Sequence, residues 1–433
     1  MNFLRAAFLT FSLAAAANAA DTWPGFRGAG DSATSASQLP VRWSATENIA
    51  WKVKLPGYGQ SSPVIWKDKI FTTTVAGDER EKGFITAHDL GTGKELWRHA
   101  FAPTQKAKWS TFISKAAPTP VVDDRGVYAF FEGGDVIALD HAGKTLWTRS
   151  LVNDYGAFQN NHGLAASPVL TGNAMIVLVD DRGPSYLLAL DTGTGKNLWK
   201  VDRPNKGSWT SPVLAGGQKE IVISSNGGVA GYDPKDGKLL WDFEGLTGNT
   251  IPSAAVVGER VIVGAGTGKG DVKAAQKSNC CLKPHGKDGK PEVLWNSEKA
   301  TASMASPLVH RGQVYFVSQA GIVFCLDLES GKERFAERID GSCWATPVAA
   351  GENVYFFSKN GVTTVIKAGP AFEVVATNSL WDGEGNPKAS QPEASKQGSD
   401  PYASSGPILY GVAAVDGAWI VRTGNTLYRI GKQ

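Results

Sequence analysis

The stretch Asp89–Trp97, DLGTGKELW, decides the fold because the chain repeats it. It returns as DHAGKTLW (Asp140–Trp147), DTGTGKNLW (Asp191–Trp199) and DPKDGKLLW (Asp233–Trp241). Recurrence at intervals of roughly 40–60 residues is the mark of a repeat architecture. Each copy closes a unit of short apolar runs. In the third unit these are ASPVL (Ala166–Leu170), AMIVLV (Ala174–Val179), YLLALD (Tyr186–Asp191) and NLWKV (Asn197–Val201). Brief β-branched or aliphatic runs divided by Gly, Asp, Asn and Thr predict consecutive antiparallel strands. The quoted phrase is then the turn between strands three and four. Its Asp accepts from backbone N–H groups, its Gly supplies a positive φ, and its Trp lays an apolar plate on the next sheet.

The first strands begin at Ser62-Pro63, Thr119-Pro120, Ser167-Pro168, Ser211-Pro212, Ser253-Ala254, Ser306-Pro307, Thr346-Pro347 and Gly406-Pro407, which predicts eight units. The aromatic position is filled by Trp97, Trp147, Trp199, Trp241 and Trp295, with Phe335 in the sixth unit. The last unit stops at TLYRIGKQ, after its third strand, while NIAWKVKL (Asn48–Leu55), with Trp51, stands before the first unit. Pairing the two closes the ring and removes a pair of open sheet edges. The expected fold is all-β: an eight-bladed β-propeller over residues 48–433, closed by an N-terminal strand.

Residues 20–47 form an N-terminal extension, and 1–19 read as a signal peptide. Arg5 supplies its positive charge, Ala6 to Ala17 its apolar run, and Ala17-Asn18-Ala19 a small-x-small cleavage site. No cysteine lies near that site for lipid attachment, and no later run approaches the ~20 apolar residues that span a bilayer. The expectation is an exported, periplasmic or secreted monomer without a membrane span. The 44 Lys+Arg against 41 Asp+Glu give no basic excess of the kind that nucleic acid attracts.

The stretch Ala87–Trp97 resembles the motif A-x-D-x-x-T-G-K-x-x-W, the tryptophan-docking motif of the pyrroloquinoline-quinone-like (PQQ-like) eight-bladed propellers. Two branches bear on function: quinoprotein alcohol dehydrogenases, and the propeller lipoprotein that scaffolds outer-membrane β-barrel assembly. A closer likeness, to exported uncharacterised propellers of the planctomycete type, rests on four phrases. These are WPGFRG (Trp23–Gly28), NHGLAASPVL (Asn161–Leu170), GNTIPS (Gly248–Ser253) and GVTTVIKAGPAFEVVATN (Gly361–Asn378). The dehydrogenase resemblance implies an axial quinone over a Trp, an adjacent-cysteine disulfide, calcium and a catalytic Asp. The chain's adjacent pair, Cys280-Cys281, lies in the fifth unit instead of an early one, and no Glu–Asn–Asp calcium set matches. The expectation is therefore a binding or scaffold protein without a cofactor and with no assignable catalytic residue. A PQQ- and Ca²⁺-dependent oxidation of an alcohol or sugar is the alternative.

The six His residues show no His-x₃-His spacing, the four Cys no Cys-x₂-Cys, and there is no G-x-S-x-G elbow. GTGKG (Gly266–Gly270) lacks the Walker spacing and reads as a hairpin. His88 and His141, beside turn Asp residues, read as structural. Cys280 and Cys281 are expected to bridge, and Cys325, at the Ala position of the docking motif, to be a buried thiol.

One set of loops is chemically richer than strands require. Loops entering strand one and loops joining strands two and three share one face of a propeller. They bring His162, Asp180, Arg182, Trp209, Asn226, Asn249, Trp344, Lys359 and Tyr402 to one mouth. Seven of these, His162, Asp180, Arg182, Trp209, Asn249, Trp344 and Lys359, are the expected funnel for a carbohydrate-like ligand or a protein or peptide partner.

Overall fold

The computed structural model describes residues 21–77, 79–106, 115–267, 270–381 and 411–432. The expected signal peptide, Tyr402, the Gly406-Pro407 start and part of the expected GTGKG hairpin lie outside the described residues. Within them are eight sheets in chain order, each built on a four-stranded antiparallel blade that runs from an inner to an outer strand. Blade 1 comprises Val64–Trp66, Lys69–Ala76, Lys82–Asp89 and Glu95–Phe101. Blades 2 to 7 follow at residues 121–150, 169–202, 213–244, 255–296, 308–338 and 348–379. Blade 8 joins Gly411–Val415, Ala418–Thr423 and Thr426–Gly431 to the N-terminal strand Ile49–Lys54. That last pairing runs antiparallel from Ile49 opposite Ile430 to Lys54 opposite Thr426, so the ring is closed as the sequence predicts.

Burial follows strand position. Ala174–Val179, second in its blade, is buried at every residue. The outer strands alternate instead, one face on the next blade and one in solvent. They leave a leucine before each docking Trp exposed: Leu96, Leu146, Leu198, Leu240 and Leu294.

The docking turns explain the ring's regularity. The Trp51, Trp97, Trp147, Trp199 and Trp295 indole N–H groups donate to carbonyls of Leu90, His141, Thr192, Pro234 and Leu328, each in the next blade's turn. In that turn Asp89 accepts from the Thr92 N–H and hydroxyl, both at 2.7 Å, which holds its carboxyl below the usual range. The indole is seated under the turn glycine. A Cβ on Gly331 would come within 2.5 Å of the Trp295 ring, and its φ of 68° excludes most side chains. Trp241 departs from the pattern. Blade 5 lacks the turn phrase, and this indole donates to the Glu220 carboxylate at 2.8 Å. Phe335, unable to donate, packs edge-on against Phe372.

Each indole lies flat because the residue opposite it is small. Ala87, Ala138, Ala189, Gly231 and Cys281 face Trp97, Trp147, Trp199, Trp241 and Trp295; Cys325 faces Phe335. A bulge follows each of these pairs, twisting the outer strand. This corrects the expected Cys280–Cys281 bridge. Both residues lie on the regular strand Cys280–Lys283, where consecutive side chains point to opposite faces. Cys280 packs with Val261 and Val263, and Cys281 with Ile262 and Trp295. All four cysteines are free and buried, and burial pushes the Cys280 and Cys281 thiols up to about 12.

The extension is built into the ring. Thr22–Trp23 adds to the axial side of blade 1's inner strand, and Ala33–Thr34 does the same in blade 7. Between them the Val122 N–H donates to Pro24 O in blade 2, and Arg27 reaches Ala254 O in blade 5. Ser37 then bonds Asp416 of blade 8. The segment thus crosses the central opening. It does so at the ends of the inner strands that carry the strand-one to strand-two turns, opposite the expected mouth.

Candidate functional site

The mouth is made by the loops that enter inner strands and leave second strands. His162 and Trp209 lie on neighbouring entry loops with ring centroids 5.7 Å apart, and the Trp209 indole donates to Gly163 O at 3.0 Å. In blade 7 the Lys359 ammonium sits 3.8 Å from the centre of the Trp344 ring. Burial draws the Lys359 pKa down, and the buried Trp344 indole N–H has no hydrogen-bond partner. Arg182 is exposed on the turn after blade 3's second strand.

Two expected ligand contacts are engaged in holding the mouth together. Asp180 is 3 % exposed and accepts from Arg203 at 2.8 Å and from the Ser225 hydroxyl. Asn249 is wholly buried; its carbonyl accepts from the Gly227 N–H at 2.9 Å and its amide donates to Gly228 O at 2.9 Å. The expectation that buried structure needs none of the seven is corrected at these two positions. Asp180, Arg203, Ser225, Asn226 and Tyr232 line a cleft of about 290 Å³ beside blade 4. Asp180→Asn should cost about 1–3 kcal/mol, because it removes one charge from a buried hydrogen-bonded pair. Urea unfolding of the variant measures this.

Sequence reasoning missed the charges buried on this face between blades 1 and 2. Both Glu132 carboxylate oxygens accept the Ala116 N–H at 3.0 Å. Burial pushes this carboxyl up to about 7, against the backbone bonds and Arg80, with Asp135 adding to the rise. Asp135 is itself raised by burial and accepts from the Thr104 hydroxyl at 2.6 Å. Arg422, fully buried, donates to Thr73 O at 2.7 Å and to Ser61 O at 3.2 Å, tying blade 8 to blade 1. The only signal for these in the sequence was a charged residue inside an otherwise apolar strand or turn.

The Glu132 shift has a pH consequence. An unfolded glutamate loses its proton near 4.5, while the folded one keeps it to about 7. The folded state binds the extra proton, so stability falls as pH rises through that window. Glu132→Gln should remove that part of the fall, read as urea midpoints at pH 5 and pH 8.

The PQQ_2 family model, described as "Outer membrane protein assembly factor BamB", matches residues 30–173 and 134–371. The chain belongs to this family. Among its relatives, the outer membrane protein assembly factor BamB of Moranella endobia is 29% identical over 204 residues, 46% of each chain. That of Yersinia pestis is 24% identical over 213 residues, 48% of each. The match spans about half the length of these BamB relatives. The crystal structure of BamB from Moraxella catarrhalis superposes with a TM-score of 0.61 at 13% identity, covering 89% of this chain and 97% of that one. Quinohemoprotein alcohol dehydrogenase from Comamonas testosteroni gives 0.61 at 13%, covering 96% and 82%. At such identity both structures speak for the fold alone.

Among the described residues the adjacent cysteines are unbridged and point apart, and no three His, Cys, Asp or Glu residues converge as metal ligands.

Proposed function

We propose that this propeller is an exported scaffold that binds an extended segment of a partner protein at its mouth, without chemical turnover. The observation that carries the reading is the Trp344–Lys359 pair. It offers a partly covered aromatic face, a cation with lowered pKa and an unused indole donor at one point. Trp209 and His162 give a second aromatic contact, and Arg182 a second cation on the same face. Aromatic plates with cations suit a peptide that presents carboxylates and apolar side chains. The naming of the relatives as assembly factors supports a protein partner over a small metabolite. Export accords with the N-terminal sequence, and no helix among the described residues is long and apolar enough to cross a membrane.

The test is titration of the mature protein with a library of extended acidic peptides. Trp344→Ala combined with Lys359→Ala should weaken binding more than tenfold and leave the melting temperature nearly unchanged. Binding that is indifferent to both substitutions would remove the mouth from the account. Selective binding of glycans instead of peptides would reassign the ligand class. Dye-linked turnover of an alcohol or sugar with added PQQ and Ca²⁺ would replace the scaffold reading with the dehydrogenase one.

A further inference from the structure

The axis of the ring is lined by hydrogen-bond donors without acceptors. The Ser62 N–H donates to the Thr119 hydroxyl at 3.0 Å, Thr119 to Ser167 at 2.9 Å, and Ser167 to Ser211 at 2.9 Å. The belt continues from Ser211 to Ser253 at 2.8 Å, Ser253 to Ser306 at 3.1 Å, and Ser306 to Thr346 at 3.2 Å. Each hydroxyl uses a lone pair on its neighbour's backbone and keeps its own proton. None of those protons has a protein acceptor among the described residues.

Against this belt the extension places Arg27. Its residue is 4 % exposed, and its Nη2 donates to the carbonyl of Ala254, the residue after Ser253 of the belt, at 2.7 Å. Its Nε and Nη1 are buried without any acceptor. The backbone accepts a left-handed φ of 62° to put the side chain there. The nearest acid, Asp31, is exposed and uses its carboxylate on the Ala33 N–H at 3.1 Å. A buried guanidinium with one carbonyl acceptor and the Phe26 ring 5.6 Å from its Cζ is still costly, and burial draws its pKa down to about 10. An oxyanion on one edge of the guanidinium, taking the free Nε or the free Nη1 together with the second Nη2 proton, would supply a missing bidentate partner, and belt hydroxyls could donate to its remaining oxygens.

We propose that the axial channel, floored by Arg27 and ringed by the hydroxyl belt, is a binding site for a small oxyanion of carboxylate or phosphate type. It lies down the axis from the mouth's rim, sharing Ser211 and Thr346 with the entry loops but neither Trp344 nor Lys359, and does not depend on peptide binding at that pair. Its failure would leave that reading untouched.

The experiment is thermal melting of the full mature chain in rising concentrations of inorganic phosphate, acetate or chloride at constant ionic strength. Phosphate, acetate or both should raise the melting temperature progressively beyond chloride; which of them does so assigns the source. Arg27→Gln should abolish the difference. Because that variant could fail to fold, Ser253→Ala serves as the second, and it should weaken the apparent affinity several-fold with Arg27 intact. Equal shifts in all three salts, or a phosphate or acetate effect unchanged in either folded variant, would overturn the proposal.

Discussion

A mature chain that begins at Gly57 should not fold to a stable monomer. Its deletion removes the strand Ile49–Lys54, leaving Thr426–Gly431 as an open edge with no outer partner. It also removes Trp51, whose indole bonds Leu90 O across the joint between blades 8 and 1. With it go Thr22–Trp23 and Ala33–Thr34, which extend two blades across the axis, and Trp43, buried in the same core as Trp419 and Tyr355. An unpaired edge beside an opened core favours association with other chains. Size-exclusion chromatography should show aggregates or, at best, a protein with a strongly lowered melting temperature. Full solubility with unchanged melting would contradict closure by this strand.

The next largest effect is expected for Trp295→Ala, at about 3–5 kcal/mol, the range for removing a buried large aromatic. Trp295 is 7 % exposed, fills the space between blades 5 and 6, and donates to Leu328 O at 2.9 Å. Truncation leaves a void beneath Gly331 and an unpaired carbonyl in the turn. Trp199→Ala should cost less, since Trp199 is only partly buried although it makes the same bond to Pro234 O. Urea denaturation of both variants checks the size and the order of the effects.

The fold was legible because one structural unit is written several times. The Asp turn, its glycine and the Trp are local features, and their recurrence fixed the blade count and the missing strand. The small residue opposite each Trp was harder to read, since Ala, Gly and Cys serve equally once only size matters. That is why the Cys280-Cys281 doublet suggested chemistry when one of the pair simply fills a slot. The extension's course was not legible at all. Its contacts with blades 1, 2, 5, 7 and 8 are set by tertiary packing and leave no periodic trace. At the mouth, loop position put Asp180 and Asn249 on the face of the entry loops. It could not show that buried partners, Arg203 and the Gly227 and Gly228 backbone, already claim them.

Hydrogen–deuterium exchange of the mature protein, with and without a saturating peptide, shows whether the mouth of the ring takes the partner. Slowed exchange is predicted at residues 159–163, 180–183, 207–211, 342–346 and 359–361. Protection confined to the outer strands around Leu96, Leu146, Leu198, Leu240 and Leu294, with the mouth unchanged, would contradict it.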